Sequence, residues 1–377
     1  MTIASLRLGM AAVVAAMLAA CSTTSPEPPY PGPAYVPLPP PALLGLPSIT
    51  QSASRWVPVP WQELPGLSED ALHEAWNAWV RSCERPHPAF QTLCPQVRRL
   101  SIGTPQEQRA FLFERLQPYR VETNNGAVDG LLTGYYEPEM NATRLPSAGY
   151  NVPLYSPPAN LGARKPWYSR QQIDTLPEAQ TALQGRVIAW VSDPIEALVL
   201  HIQGSGRLRI TEPDGRVRLV RLAFAGTNDH PYRSVGRWLL DQDLIRDASW
   251  PGIKAWIAQN PQRVQEMLWS NPRYVFFKEE PLQGLDKEFG PKGAQGVALT
   301  PGRSIAVDRQ SIPYGTPVWM ASSGPTGHIQ RLVLAQDTGS AIVGAVRADY
   351  FTGWGSQAGD IAGRLKQNLR LWVLWPR

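Results

Sequence analysis

The first hydrophobic stretch of the chain lies at its N-terminus and is short. Arg7 precedes thirteen apolar or small residues, 8–20, and Cys21 follows them. A helix of that length reaches about 20 Å at roughly 1.5 Å per residue, less than the roughly 30 Å hydrocarbon core of a bilayer. A basic residue, a short apolar run and small residues at its end are typical of a secretory signal peptide, which we predict for residues 1–20.

The residues around Cys21 predict a lipid anchor and a tether. Leu18-Ala-Ala-Cys21 resembles a bacterial lipobox, whose cysteine becomes the lipidated first residue of the mature protein. An ordinary signal peptide that ends near a cysteine is the alternative. Ser22 follows the cysteine, which by resemblance to the sorting rule of such lipoproteins favours the periplasmic side of the outer membrane. Residues 22–60 contain 12 prolines, and we predict an extended, polyproline-like tether over residues 21–60.

Helical periodicity begins after the tether. Ser68 can cap a helix that carries Leu72, Trp76 and Trp79 on one face, and Thr104-Pro-Gln-Glu107 matches a capping box. Apolar spacing is helical again between about residues 234 and 269. The 38 prolines of the chain argue against long uninterrupted helices.

Strand-like runs bounded by Gly, Pro and Asp fill much of the remaining chain. Before the helical stretch they are residues 130–138, 186–191, 197–203 and 216–222. After it they are residues 274–277, 304–308, 316–320, 331–337 and 371–374. Closely spaced strands with Gly and Pro turns predict a mainly β fold that contains a small barrel.

Composition and charge exclude several classes of protein. The 377 residues fit two domains, and the formal charge of +5 is mild for that length. Because Lys and Arg are scattered, the sequence argues against a dedicated nucleic-acid binder, and we predict no nucleic-acid partner. No CxxC or HExxH spacing occurs, so we predict no metal site and no cofactor. With Cys21 used for lipid, we predict a disulfide between Cys83 and Cys94, and two separate thiols are the alternative.

Three aspartates stand at or just past predicted strand ends and are the candidate chemical groups. Asp308 and Asp337 end two of the runs, and Asp349 is followed by Tyr350 and Phe351. An acid beside an apolar wall has its neutral form favoured, as a general acid requires. A turn or backbone cap is the alternative role for any single aspartate at a strand end.

Several motifs, taken in order, resemble the membrane-bound lytic murein transglycosylase A family with its C-terminal 3D domain. The resemblance covers roughly residues 60–377. One departure is that Val343 stands where the family often has Lys. The motifs that carry the resemblance are Leu132-Thr-Gly-Tyr-Tyr-Glu-Pro138, His201-Ile-Gln-Gly-Ser-Gly206, Phe224-Ala-Gly-Thr-Asn228, Asn271-Pro-Arg-Tyr-Val-Phe-Phe277, Ile312-Pro-Tyr-Gly-Thr316, Ala335-Gln-Asp-Thr-Gly-Ser-Ala-Ile-Val-Gly344 and Arg347-Ala-Asp349.

The resemblance implies a double-psi β-barrel domain, a second β domain inserted into it, several flanking helices and a groove between the domains. Residues 61–133 and 270–377 would form the barrel domain, and residues 134–269 the inserted domain. The groove would bind peptidoglycan glycan strands, with other cell-wall enzymes left open as partners. The residues expected to contact the glycan are Tyr135, Tyr136, Gln203, Gly204, Ser205 and Gly206.

The resemblance also implies cleavage, without water, of the β-1,4 bond between N-acetylmuramic acid and N-acetylglucosamine. Asp349 would act as acid and then as base, and the product would carry a 1,6-anhydro ring. Asp337 and Asp308 would orient groups or stabilise positive charge on the sugar. A water-using glycosidase with Asp337 and Asp349 as its pair, and a glycan-binding protein without activity, are the alternatives.

Overall fold

The structure, a computed structural model, describes Leu38 and residues 45–377. The predicted signal peptide and Cys21 lie outside the described residues. The strands of the described part, in chain order, are β1 (Ile49–Thr50), β2 (Arg55–Pro58), β3 (Leu116–Glu122), β4 (Gly130–Glu137), β5 (Glu139–Thr143), β6 (Val152–Tyr155), β7 (Val187–Val191), β8 (Gly206–Thr211), β9 (Val217–Thr227), β10 (Val275–Pro281), β11 (Ser304–Val307), β12 (Pro317–Gly324), β13 (Gly327–Asp337), β14 (Arg347–Trp354) and β15 (Lys366–Pro376).

The α-helices of the described part are short, as the abundance of proline predicts. They are α1 (Leu72–Ser82), α2 (Cys94–Arg99), α3 (Pro105–Arg115), α4 (Arg170–Thr175), α5 (Pro177–Ala182), α6 (Pro194–Gln203), α7 (Val235–Asp241), α8 (Trp250–Gln259), α9 (Val264–Ser270) and α10 (Gly355–Arg364). Among the described residues, no helix is long and apolar enough to cross a membrane.

Six strands close into a barrel, which confirms the predicted fold class. They follow one another in the order β15, β12, β13, β11, β14 and β4, and the first residues of β15 pair with β4 to complete the ring. β3, β2 and β1 extend the same sheet from the far end of β15. The prediction of a tether that reaches residue 60 was therefore wrong for its last part, because β1 and β2 pair in this sheet and Trp56 is buried in the barrel core. The barrel closes around a core of buried aliphatic side chains that includes Leu132, Ile305, Val318, Val333, Leu369 and Leu371.

A second sheet of six strands is inserted into the barrel domain. Its order is β10, β9, β8, β5, β7 and β6, with β5 and β8 parallel and the other neighbours antiparallel. The pairing of β4 and β10 places the domain boundaries later in the chain than residues 134 and 269, where they were predicted. All of β4 belongs to the barrel, because it pairs with β14. All of β10 belongs to the inserted sheet, because it pairs with β9 and buries Val275 and Phe277 in that core.

Residues 197–203 form a helix, so the prediction of a strand there was wrong. The Asp193 side chain caps the helix by accepting a hydrogen bond of 2.7 Å from the Ile195 amide, and Pro194 takes the first helical position. Gly204 ends the helix with a φ of 81°, in the left-handed region that glycine adopts without cost. The apolar run alone did not distinguish a buried helix from a buried strand.

Two helix starts near the N-terminal end of the described part differ in how well the sequence predicted them. The capping box of Thr104 and Glu107 is present at the start of α3. The Ser68 cap is absent: α1 begins after Ala71, and no side chain caps it. The structure has a disulfide between Cys83 and Cys94, whose Cα atoms are 5.5 Å apart. This bond links the end of α1 to the start of α2.

Candidate active site

Two of the three candidate aspartates lie in one row across the barrel. Ala306 of β11 pairs with Asp337 on one side and with Asp349 on the other. Asp349 pairs in turn with Thr133 of β4. Directly paired residues present their side chains to the same face of a sheet, so both carboxyl groups stand on one face with the small Ala306 between them.

Asp349 accepts a side-chain hydrogen bond at one of its two carboxyl oxygens. The Thr133 hydroxyl donates a hydrogen bond of 2.5 Å to Asp349 Oδ1, and Arg347 donates to the same hydroxyl at 2.8 Å. Among the described residues, no hydrogen bond reaches Asp349 Oδ2. Burial raises the pKa of Asp349, although the Thr133 hydrogen bond and the Arg347 charge oppose the rise. One carboxyl oxygen is therefore available to carry and deliver a proton.

Asp337, at the end of β13, accepts hydrogen bonds at both of its carboxyl oxygens. The amides of Ala294 and Thr338 each donate to Oδ1 at 2.9 Å, and the Tyr135 hydroxyl donates to Oδ2 at 2.9 Å. Burial raises the pKa of Asp337 to about 6 against these hydrogen bonds, and the charge of Asp349 adds to the rise. Burial also raises the pKa of Tyr135 well above its usual value, so this hydroxyl stays a donor.

Asp308, the third aspartate, braces a loop. It follows β11 directly and is buried, and its carboxylate accepts 2.9 Å hydrogen bonds from the amides of Gln310 and Gly344. These contacts fix the connection between β13 and β14, and with it the spacing of Asp337 and Asp349. Val343 of this loop is 72% exposed, and as an apolar residue it supplies no cation where the family often has Lys.

A groove of about 480 Å³ lies between the barrel and the inserted sheet. Tyr135 and Asp337 line its barrel side. Residues 201–205, including Gln203, Gly204 and Ser205, line the opposite side together with Phe224 and Arg273. Phe224 of β9 is 52% exposed, and a large exposed ring in a groove offers a flat apolar surface to a sugar. Phe224 begins one of the motifs that carry the family resemblance, but it was not among the expected glycan contacts, because exposure of an aromatic side chain is not visible in a strand pattern.

The remaining predicted contact residues have structural contacts of their own. Tyr136, in β4 of the barrel, donates its backbone amide to the Gln203 side chain at 3.0 Å. A Cβ at Gly206 would lie 2.4 Å from the Leu200 side chain, so that glycine is required by packing. Neither Tyr136 nor Gly206 lines the groove. The Tyr135-Tyr136 motif and the Gln203-Gly-Ser-Gly206 motif therefore meet where the two domains join. Of these residues, Tyr135, Gln203, Gly204 and Ser205 line the groove.

Glu137 joins the two domains and was not predicted as a functional residue. It is fully buried and binds Arg207 at 2.8 Å and Arg221 at 2.6 Å, one from each of β8 and β9. Both arginines also donate to the carbonyl of Phe289, on the segment that returns to the barrel. The only sequence signal was a carboxylate at the end of an otherwise aromatic and apolar strand. This cluster fixes the angle of the inserted sheet and the width of the groove.

Comparisons with known proteins agree with this architecture. A family model described as the MltA specific insert domain matches residues 131–278, and one described as the 3D domain matches residues 303–375. The solved structure of the lytic transglycosylase LtgG of Burkholderia pseudomallei is 43% identical, with 89% of this chain and 99% of that chain covered and a TM-score of 0.59. MltA from Neisseria gonorrhoeae is 30% identical, with 89% and 96% covered and a TM-score of 0.73.

The barrel, the inserted sheet and the groove between them therefore define the fold of a lytic transglycosylase. Among curated proteins, the membrane-bound lytic murein transglycosylase A of Vibrio cholerae is 31% identical over 256 residues. That match spans 65% of the length of each protein. This chain belongs to the family of membrane-bound lytic murein transglycosylases A, which confirms the resemblance found in the motifs.

Proposed function

We propose that this protein is a lytic transglycosylase that cleaves the β-1,4 bond between N-acetylmuramic acid and N-acetylglucosamine in peptidoglycan. The observation that carries the proposal is the pair of carboxyl groups with raised pKa on one face of the barrel, of which Asp337 lines the groove and Asp349 lies beside it in the same row of paired residues. Burial that raises the pKa of a carboxyl group makes it hold its proton more readily, as a general acid for a glycosidic oxygen requires. Membership of the family supplies the substrate class.

Asp349 is the acid and the base of the proposed reaction. Its Oδ2 delivers a proton to the glycosidic oxygen, and the bond from that oxygen to C1 of the muramic residue breaks with its electron pair on the leaving oxygen. The resulting carboxylate then takes the proton of the O6 hydroxyl of the same muramic residue, while O6 forms a bond to C1. The proton count balances without water, and the product carries a 1,6-anhydro ring.

Asp337 and Asp308 support this reaction without exchanging protons with the sugar. Asp337 accepts three hydrogen bonds, and donors of this kind favour the charged carboxylate. A carboxylate at the groove wall stabilises the positive charge that develops at C1. Asp308 keeps the loop between β13 and β14 in place. Tyr135, Gln203, Gly204, Ser205 and Phe224 bind the sugars, the last by stacking.

Two alternative functions differ from this one in their products. A water-using glycosidase would need a second carboxyl group that stays free to activate water or attack the sugar, whereas both oxygens of Asp337 already accept hydrogen bonds. A glycan-binding protein would release no product. Mass spectrometry of sacculi digested with the protein separates the three. The lyase leaves ends lighter by one water molecule, the hydrolase leaves reducing ends, and the binder leaves the sacculi intact.

The proposed location is the periplasmic side of the outer membrane, through a lipid on Cys21. The support is the lipobox-like ending, the proline-rich segment after it and relatives that are named as membrane-bound. Cys21→Ala should move the protein from the membrane fraction to the soluble fraction while it retains its activity on isolated sacculi. Continued membrane association of this variant would contradict the anchor.

A further inference from the structure

Arg273 is a groove residue with a guanidinium that lacks a carboxylate partner. It lines the groove on the side of the inserted sheet and is partly buried. Its Nη1 donates a hydrogen bond of 3.3 Å to the carbonyl of His230. Among the described residues, no carboxylate forms an ion pair with it. Burial lowers the pKa of Arg273, and the charge of Asp229, which itself pairs with Lys165 at 3.9 Å, opposes this shift only in part. A charge removed from water without a partner costs free energy that a bound anion can offset.

The backbone of Arg273 is fixed by hydrogen bonds to two buried side chains, Arg170 and Asn271. Arg170, which is 6% exposed, donates to the carbonyl of Arg273 at 2.9 Å and to that of Asn271 at 3.3 Å. The side chain of Asn271 accepts from the Arg273 amide at 3.2 Å. His201 contacts Arg170 at 3.2 Å, and burial lowers the pKa of His201 well below its usual value, so it adds no charge. The guanidinium is thus presented to the groove from a rigid base.

Lys292 adds a second cation to the groove lining. It is exposed, and no ion pair joins it to a carboxylate of the described residues. Its neighbour two residues on, Ala294, donates its amide to Asp337. Lys278, which also lines the groove, differs from both cations because its ammonium binds Glu280 at 2.7 Å. The groove therefore holds two cations without carboxylate partners, Arg273 and Lys292.

We propose that Arg273, assisted by Lys292, binds a carboxylate carried on the lactyl side chain of the muramic residue. The proposal rests on the proposed function, which supplies the substrate. The N-acetylated sugar backbone is neutral, so the anionic groups of the polymer belong to this side chain. They are the lactyl carboxylate itself where no peptide is attached, or the carboxylates of the attached peptide. A guanidinium recognises such a group through two parallel hydrogen bonds.

Binding measurements with three ligands test this assignment. In an Asp349→Asn background, which prevents turnover, the affinity is measured for a peptide-bearing glycan fragment, for the same fragment after amidase treatment, and for chitohexaose. Arg273→Gln should weaken binding of the anionic fragments by about 10- to 100-fold, as expected for a hydrogen bond to a charged group. It should leave chitohexaose unaffected, because that sugar carries no carboxylate. Arg273→Lys, which keeps the charge, should restore part of the affinity.

The two sources of the carboxylate give different results. A loss confined to the amidase-treated fragment identifies the free lactyl carboxylate, and a loss confined to the peptide-bearing fragment identifies a carboxylate of the peptide. A loss on both fragments shows that the guanidinium binds either carboxylate. Arg216→Gln, an exposed arginine of the inserted sheet paired with Asp214, is the matched control and should bind all three ligands normally.

Equal loss of chitohexaose binding, or no loss with any ligand, would overturn the role of Arg273. If the unmodified protein cleaves sacculi to anhydro products but Arg273→Gln does not discriminate between ligands, this inference alone fails. If the unmodified protein releases no anhydro product, the proposed function fails, and the binding results still report on Arg273. If none of the three ligands binds, both proposals fail.

Discussion

Asp337 and Asp349 lie in register with the same residue of the strand between them, one on each side of Ala306. Two strand spacings place their backbones roughly 10 Å apart, and the charge of Asp349 contributes to the raised pKa of Asp337. The two carboxyl groups differ in their partners rather than in their burial. Asp337 accepts hydrogen bonds at both oxygens, and Asp349 at one. This difference assigns proton transfer to Asp349.

Tyr135→Phe should move the pH dependence of the reaction. The tyrosine hydroxyl favours the ionised form of Asp337, so its removal should raise the pKa of that carboxyl. If ionised Asp337 stabilises charge at C1, the rising limb of the pH–rate profile shifts to higher pH by about one unit. Tyr136→Phe is the control, since its hydroxyl makes no hydrogen bond with Asp337. An unchanged limb in Tyr135→Phe would show that Asp337 does not act through its charge.

Asp337 should also make the protein less stable as the pH rises. Its pKa of about 6 in the folded state exceeds the ordinary aspartate value of 3.8, so between about pH 4 and 6 the native state holds more protons at this site than the unfolded state. Its contribution to the free energy of unfolding therefore falls as the pH rises through that window, by on the order of 1–2 kcal/mol after solvent screening. Chemical denaturation at several pH values should show this slope in the natural protein and less of it in Asp337→Asn. Parallel slopes would refute it.

The disulfide should stabilise the helices that precede the barrel. Cys83 and Cys94 are separated by 11 positions, and closing so short a loop restricts the unfolded chain by about 2–3 kcal/mol. A Cys83→Ser/Cys94→Ser variant should lose that much in chemical denaturation. Thiol labelling of the denatured, unreduced protein should find neither cysteine. Labelling of both would indicate two free thiols, the alternative that the sequence left open.

Glu137→Gln should loosen the junction between barrel and inserted sheet. The substitution leaves Arg207 and Arg221 buried without a carboxylate, which costs about 3–5 kcal/mol. Glu139→Gln is the matched control, because its partner Arg209 is exposed, and a surface ion pair contributes about 0–1 kcal/mol. Thermal or chemical denaturation measures both. In Glu137→Gln the affinity for glycan should also fall, because the groove width is no longer fixed, and equal stability of the two variants would exclude the proposed role.

Short sequence motifs predicted the structure of adjacent residues well, but they did not predict which distant strands and side chains pair. The capping box at Thr104 and the aspartates near strand ends could be read from adjacent residues. The helix at residues 194–203 was misread because an apolar run carries no periodicity that separates a buried helix from a buried strand. Glu137 was missed because its partners lie 70 and 84 residues away, and no spacing rule covers such a distance. The boundary at β10 was missed for the same reason, since pairing with β9 defines it.

The most direct test of the single-acid reaction compares Asp349→Asn with Asp337→Asn on isolated sacculi. Asparagine keeps the size of the side chain but can neither give nor take the proton, and general acid–base catalysis contributes about 10²–10⁴-fold per step. Anhydro product is measured by mass spectrometry, and glycan affinity is measured in parallel. We predict that Asp349→Asn binds glycan and yields almost no anhydro product, whereas Asp337→Asn is slowed and still yields it. Near-normal product from Asp349→Asn, with product abolished and binding intact in Asp337→Asn, would contradict the assignment of Asp349 as the acid.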